Sequence, residues 1–358
     1  MSEAVRIGWC SNVLKSATAT ALVAELESIY DVIPAETPLG LWLPQSMLGS
    51  DLRPLQRWLA HTDTPLLGLN AFPIDRFHDA VVKTAVYRPH WGDPARAAYT
   101  IQAAACLAGL LGPGGNAGLT TVPIGWRSDA INLTAACRNI RAVCDRLDAI
   151  ARETGTTLHL AIEPEPGCIV DTTAALARLV TDHGLEDLAA RGTLRACLDA
   201  CHLAIMHESA SDAVSSLAGA GILIGRLQLS SAPEARDAGH AAMLHLREPR
   251  WMHQTSILRD GHVTFFDDLP DADDAPRAGI WRTHLHVPIH LERIGSLHTT
   301  QQTIDELLAA TASLDDRPAI EVETYAWSVL PDEARGNTLA EDIAEELAWA
   351  RSLVEGRR

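Results

Sequence analysis

Residues 194–204, LRACLDACHLA, run apolar until Asp199 interrupts them, and His202 follows three residues later. Asp-x-x-His pairs a carboxylate with an imidazole, the donor types that hold a divalent cation, at the end of what reads as a core strand. Four further stretches share that character. Glu163 and Glu165 flank a proline in AIEPEPG, Gln228 lies in LQLSS, His284 and His286 alternate in WRTHLHVPIH, and Glu321 and Glu323 alternate in EVETYAW. Each has an ordinary explanation when taken alone. An Asp ahead of a helix is an N-cap, Glu-Pro-Glu can be a solvated loop, and His-x-His is commonly a surface or core feature. The order Glu, Asp-x-x-His, Gln, His-x-His, Glu favours one shared site. Several carboxylates buried together repel strongly unless a cation neutralises them or some remain protonated.

These residues meet only if the elements carrying them end at one place. Short apolar runs alternate with segments of helical period along the whole chain. Candidate strands lie at 6–10, 39–44, 66–72, 118–125, 157–164, 193–199, 224–230 and 318–325. Helical stretches at 94–111, 130–154, 172–183 and 300–313 separate several of them. Eight strands with intervening helices predict a closed α/β (β/α)8 TIM barrel, one domain spanning 1–358, whose strand C-termini all meet at one face. A doubly wound sheet fits less well. No Gly-x-Gly-x-x-Gly follows the first strand, and the glycine cluster at 112–118 precedes a strand.

Two connections exceed an ordinary βα loop. Residues 73–93 follow the third strand, and 231–295 follow the seventh; both would lie over the barrel mouth. The second contains a predicted helix at 233–246, a hairpin around Asp260 and Gly261, an acidic linker, and the His-x-His stretch.

Composition narrows the partners. The chain has 358 residues and is 47% hydrophobic, enough for a large core, and its net charge of −17 opposes a phosphate-backbone partner. A small molecule is expected, and no nucleic acid. Seven cysteines, odd in number and never Cys-x-x-Cys, indicate neither a disulfide framework nor a zinc ribbon. A reducing, cytoplasmic location is expected, with no signal peptide and no membrane span of about 18 apolar residues. A homo-oligomer stays open, because exposed helix faces decide it.

LAIEP, CLDACH and the closing VET resemble the metal-ligand strands of the xylose-isomerase-like superfamily of barrels, which includes sugar isomerases, epimerases and zinc-dependent AP endonucleases. CLDACH is close to the endonuclease form, and His284-x-His286 stands where those enzymes carry Asp-x-His. The stretches at 72–100, VPIGWR, THLHVPIH and EVETYAWSVLP resemble a narrower group, the metabolite-traffic proteins of Ebo-type gene clusters. The resemblance implies a divalent metal, a polyol, sugar or cyclitol-like ligand, and a part in secondary metabolism. Gln228 departs from the superfamily, which has a ligating histidine there; a neutral amide oxygen tilts preference toward Mn²⁺ or Mg²⁺ over Zn²⁺.

The expected metal set is Glu163, Asp199, Gln228, His286 and Glu323, with Glu163 and Glu323 shuttling a proton in an isomerase or epimerase reaction. His202, His284, Arg88, Trp126, Glu165 and Glu321 are expected around the substrate. Asn70 is a further candidate for hydroxyl contacts. Two alternatives stand beside this reading. One is a carrier that binds a metabolite without turnover. The other is a zinc phosphodiesterase, which needs more histidines at the early strand ends unless His78 and His90 return from their loop.

Overall fold

The computed structural model describes residues 6–75, 77–236 and 239–356. Eight parallel strands close into a barrel: Ile7–Cys10, Leu39–Trp42, Leu66–Asn70, Asn116–Thr121, Thr157–Ile162, Leu194–Asp199, Ile224–Leu229 and Ala319–Val322. Each falls where the sequence places a strand. Fully buried residues such as Leu69, Leu119, Leu160 and Leu227 face the helical layer, so these strands read as continuous apolar runs and not as alternating ones. Helix Pro94–Leu111 matches its expected bounds, opened by the Asp93 side chain accepting from Ala95 N. Leu133–Thr154 and Thr173–Asp182 are capped likewise by Asn132 and Thr172.

The barrel interior divides into two halves. Gly40, Gly68 and Gly118 stand on the second, third and fourth strands, while His159, Arg226 and Glu321 come from the fifth, seventh and eighth. A Cβ added at Gly40 would run into Glu321, at Gly68 into Arg226, and at Gly118 into His159. Long polar side chains therefore cross the barrel and fill the room that the glycines leave. Arg226 Nη1 reaches Glu321 Oε1 at 2.9 Å, both fully buried. This pair forms a plug under the mouth.

The two long connections build the mouth. In the second, strands Pro233–Ala235, Thr255–Arg259, His262–Phe266, Ile280–Thr283, Arg293–Ile294 and Leu297–Thr299 form a separate antiparallel sheet over its own apolar cluster, which includes Trp281 and Met243. The hairpin turns at Asp260 and Gly261, both with positive φ (49° and 77°), as a two-residue primed turn requires. The expected helix at 233–246 is corrected. Residues 233–235 are a strand and only His240–Leu244 is helical, with 237–238 outside the described residues. Glu234 pairs with Arg282 and His298 on either side and forms an ion pair with Arg282 at 2.8 Å, so sheet partners override local helix propensity. The acidic linker contains a short turn, Leu269–Ala272, held by an Asp268 capping box. The first connection is tied to the second: Val82 N and Lys83 N both donate to Arg250 O, at 2.6 and 2.8 Å.

The C-terminal helix Leu339–Glu355 holds the other side. Its buried Glu346 accepts from Thr324 Oγ1 at 2.6 Å and Ile289 N at 3.0 Å, tying together the segments that follow Glu323 and His286. Burial pushes the Glu346 carboxyl up to about 8. A carboxyl raised in the folded state contributes stability at low pH that is lost as pH rises through that value. Glu346→Gln should therefore flatten the loss of stability between about pH 4.5 and 8, read by urea unfolding; an unchanged slope would show that Glu346 is ionised throughout. Gly68→Ala should cost about 1–3 kcal/mol or more by overpacking against Arg226. Gly109→Ala, in a helix with nothing within 4 Å, should be neutral or stabilise by about 0.5–1 kcal/mol.

Candidate metal centre

Glu163 directly follows the fifth strand, Asp199 ends the sixth, and Glu323 directly follows the eighth. Their positions along the inward-facing line of each strand bring one oxygen of each within 4.8 Å of the others. Asp199 serves two purposes. Its Oδ1 caps the short helix Ala200–Ile205 by accepting from His202 N at 2.9 Å and also accepts from Ser230 Oγ at 2.7 Å, while Oδ2 has no hydrogen-bond partner among the described residues. Glu323 Oε1 accepts from Asn12 at 2.6 Å and from Asn70 at 3.3 Å. Glu163 Oε2 has no hydrogen-bond partner among the described residues. The N-cap explanation and the ligand explanation of Asp199 thus use different oxygens of one carboxylate.

Three histidines turn toward these oxygens, and their hydrogen bonds fix their tautomers. His202 Nδ1 lies 2.9 Å from Pro164 O and His286 Nδ1 lies 2.7 Å from Glu323 O. A carbonyl only accepts, so both Nδ1 atoms donate, and in a neutral ring each Nε2 carries the lone pair; His202 Nε2 also lies 3.3 Å from Glu165 Oε2. Gln254 donates its amide N–H to Pro166 O, which leaves its Oε1 to accept from His284 Nδ1 at 2.9 Å. His284 Nε2 then faces His202 Nε2 at 3.3 Å. Two lone pairs at that distance repel unless a proton or a cation lies between them. Imidazoles whose other nitrogen is held by a carbonyl or amide are oriented as metal ligands are.

Electrostatics agree. Burial, then Glu323 and Asp199, push the Glu163 carboxyl well above its ordinary range; burial, then Asp199 and Glu321, do the same to Glu323. Burial raises Glu165 as well, opposed by His202 and Tyr87. Burial pushes His286 down to about 4 and His284 well below its usual value, so both present neutral nitrogens. Orphaned carboxylate oxygens beside imidazole lone pairs form a donor set that fits a divalent ion. Besides Glu163, Asp199 and Glu323, the sets Asp199, His202, His286 and Glu165, His202, His284 are also close enough to share one.

Glu163, Glu165, His202, His284, His286 and Glu323 all line one cleft that opens at the barrel mouth. Other expected residues lie elsewhere. Glu321 stands two residues deeper on the same inward line as Glu323, outside the cleft lining, and is engaged by Arg226 as its counter-charge. Gln228 also lies outside the cleft lining, its Oε1 accepting from the Cys197 thiol at 3.0 Å; Ser230, two residues on, is what reaches Asp199. Arg88 is exposed and paired with Asp129 at 2.6 Å. Trp126 is buried behind the wall, stacked on Tyr87 with ring centres 5.0 Å apart. His78 packs edge-on against Trp42, and neither it nor His90 lines the cleft.

Residues not expected from sequence complete the site. Tyr87 donates to Glu165 at 3.0 Å, Gln254 donates to the Tyr87 hydroxyl at 2.6 Å, and Tyr325 lies against His286. Asn12 was findable, since it continues the inward alternation of the first strand beyond Cys10. Tyr87 and Gln254 come from the long connections, where no periodicity points at the site.

The chain matches no protein-family model and no curated protein. Its fold is that of solved xylose-isomerase-like barrels. A D-tagatose 3-epimerase-like protein is 13% identical over 99% of each chain, with a TM-score of 0.55. The 3-keto-D-glucoside 4-epimerase of E. coli is 13% identical over 97% of this chain and 99% of that one, with a TM-score of 0.51. A xylose isomerase-like TIM barrel protein from Mycobacterium smegmatis, in complex with magnesium, is 10% identical over 99% and 97%, at 0.55. No helix among the described residues is long and apolar enough to cross a membrane.

Because Glu163 and Glu323 are raised in the folded state, metal-free protein should lose stability as pH climbs above about 4.5, the ordinary range of a Glu carboxyl, and through the raised values. Thermal unfolding with chelator from pH 5 to 8 should show that decline, and Glu163→Gln should soften it. Mn²⁺ at 100 times its Kd should restore about 2.7 kcal/mol to the parent and little to Glu163→Gln. Identical melting with chelator and with metal would remove the metal centre.

Proposed function

We propose that this protein is a metal-dependent isomerase or epimerase of a small polyol, sugar or cyclitol-type α-hydroxy ketone. The observation that carries the reading is the convergence of Glu163, Asp199 and Glu323 within 4.8 Å at the barrel mouth, with oxygens of Glu163 and Asp199 left unpartnered. A divalent ion bound there, Mn²⁺, Mg²⁺ or Zn²⁺, supplies Lewis acidity to neighbouring substrate oxygens and makes the α C–H more acidic. The solved neighbours named as epimerases of a keto-glucoside and of tagatose type support this class, as does the one in complex with magnesium. A part in secondary-metabolite biosynthesis or traffic is what the sequence resemblance supports.

The chain's own residues carry the proton. Glu163 and Glu323 stand on strands separated by two others around the barrel, so their carboxyls reach the same space from different sides. Burial raises both, and Glu323 adds to the rise of Glu163; in this scheme one of the pair holds a proton while the other is the base. The base removes the α proton from one face and the acid returns a proton on the other; solvent resets the pair. Asn12 and Asn70 keep Glu323 aimed, while His202, Glu165 and the Gln254–His284 pair line the space for substrate hydroxyls.

The test is solvent deuterium incorporation into hydroxy ketones, followed by NMR. Glu163→Gln and Glu323→Gln should each lower exchange by about 10²–10⁴-fold, the usual contribution of a positioned acid or base. Asp199→Asn should weaken metal binding first and recover partly in excess metal. His284→Ala should chiefly raise KM. Full exchange in Glu163→Gln or Glu323→Gln would sink the two-carboxylate scheme. A parent protein that binds sugars and exchanges none of them would be a carrier.

A further inference from the structure

The cleft is polar at one end only. Beyond the carboxylates, the histidines and the amides of Asn12, Asn70 and Gln254, its walls are mainly apolar, formed by Phe72, Phe77, Val86, Trp251, Met252 and Tyr325, with Lys83 the charged exception. Phe77, Trp251 and Tyr325 pack on one another with ring centres 5.0 to 5.5 Å apart, and Tyr325 sits 4.6 Å from the His286 ring. On the other side Phe72 stacks on Tyr87 at 5.8 Å, and Tyr87 donates to Glu165. Each aromatic group therefore begins at a residue of the candidate centre.

Two polar handles of these rings are already engaged within the protein. Trp251 donates its indole N–H to Phe77 O at 3.1 Å, and the Tyr87 hydroxyl is taken by Glu165 and Gln254. Lys83, the one cation among the described lining residues, is held by Asp268 at 2.6 Å. An anionic substituent would meet no free cation among the described lining residues, since Arg250 stands outside the lining with its guanidinium over the Trp251 ring at 5.0 Å, and it would face the carboxylates of the inner end. A neutral apolar one would cover ring faces that water solvates poorly.

We infer that the substrate is amphipathic: an oxygen-rich ring or chain whose hydroxyls meet the carboxylate and histidine end, carrying a neutral aryl or alkyl substituent that lies along the Phe77, Trp251 and Tyr325 wall. The head-group half of this statement rests on the proposed metal-dependent reading. The substituent half rests on the cleft lining alone. A free monosaccharide uses only the inner half of such a cleft and leaves the aromatic half in contact with water.

The probes are methyl, hexyl and phenyl β-D-glucopyranosides, titrated calorimetrically into the full chain with Mn²⁺ and with chelator. Phenyl and hexyl glucosides should bind at least tenfold more tightly than methyl glucoside. Val86→Asn and Met252→Asn, at half-buried positions that tolerate the change, should bring phenyl and hexyl affinity down toward that of methyl. Equal, metal-dependent binding of all three glucosides would overturn the inference and leave the proposed function standing. Tighter phenyl binding that is identical with Mn²⁺ and with chelator would uphold the apolar wall and count against the metal-dependent head group. No binding by any of the three to the Mn²⁺-loaded protein would overturn the inference.

Discussion

The mouth of this barrel is organised by the mutual repulsion of five carboxylates, Glu163, Glu165, Asp199, Glu321 and Glu323, none more than 4% exposed. Such a group is tolerated only if each negative charge is answered or suppressed. Arg226 answers Glu321 from within the barrel. Tyr87 and Gln254 donate to Glu165, while Ser230 and a helix N-terminus take one oxygen of Asp199. Asparagines take one oxygen of Glu323. Among the described residues, Glu321 Oε2 is left unpaired deeper in the barrel, and at the mouth what is left over collects at Glu163 Oε2 and at Asp199 Oδ2, 3.7 Å from His286 Nε2. The unanswered part of the repulsion and the place with the right donors for a cation coincide.

The rest of the fold serves that arrangement. Glycines on one half of the barrel admit the Arg226–Glu321 plug from the other half, which settles the charge below the site before the mouth is reached. The long connections close over the strand ends, and their burial of the carboxylates raises Glu163 and Glu323. Desolvation thus favours the protonated form of both glutamates more than water would. The second connection also delivers His284 and His286, whose orientation is set by Gln254 and by the backbone of Glu323. An open barrel with the same strand ends would leave these carboxylates hydrated and ionised.

A xylose-isomerase-like barrel by itself does not select a reaction. At 10–13% identity the solved neighbours share the scaffold, and the chemistry has to be read from side chains. Here the side chains divide the cleft into an acidic, histidine-lined end and an aromatic end. The carboxylates of the first end come from the ends of barrel strands, while His284, His286 and most of the aromatic wall come from the two long connections.

The sequence by itself determined the scaffold and the chemistry of its strand ends. Continuous apolar runs separated by capped helices read as eight buried strands, because period and capping are local properties. Asp199, Glu163, Glu323, His202, His284 and His286 were legible from residue type and from their place at or after a strand end. Tertiary structure decided depth and direction. Glu321 and Glu323 share one inward line, and only the height at which the strand leaves the barrel makes one a partner of Arg226 and the other a neighbour of Asp199. The same shift of two residues separates Gln228 from Ser230. Arg88 and Trp126 lie in connections whose course no periodicity encodes, and there an ion pair and a ring stack turned them away from the cleft. Residues 233–235 became a strand because Arg282 and His298 lie on either side of Glu234. Those partners are distant in sequence, so the contacts exist only after the chain has folded.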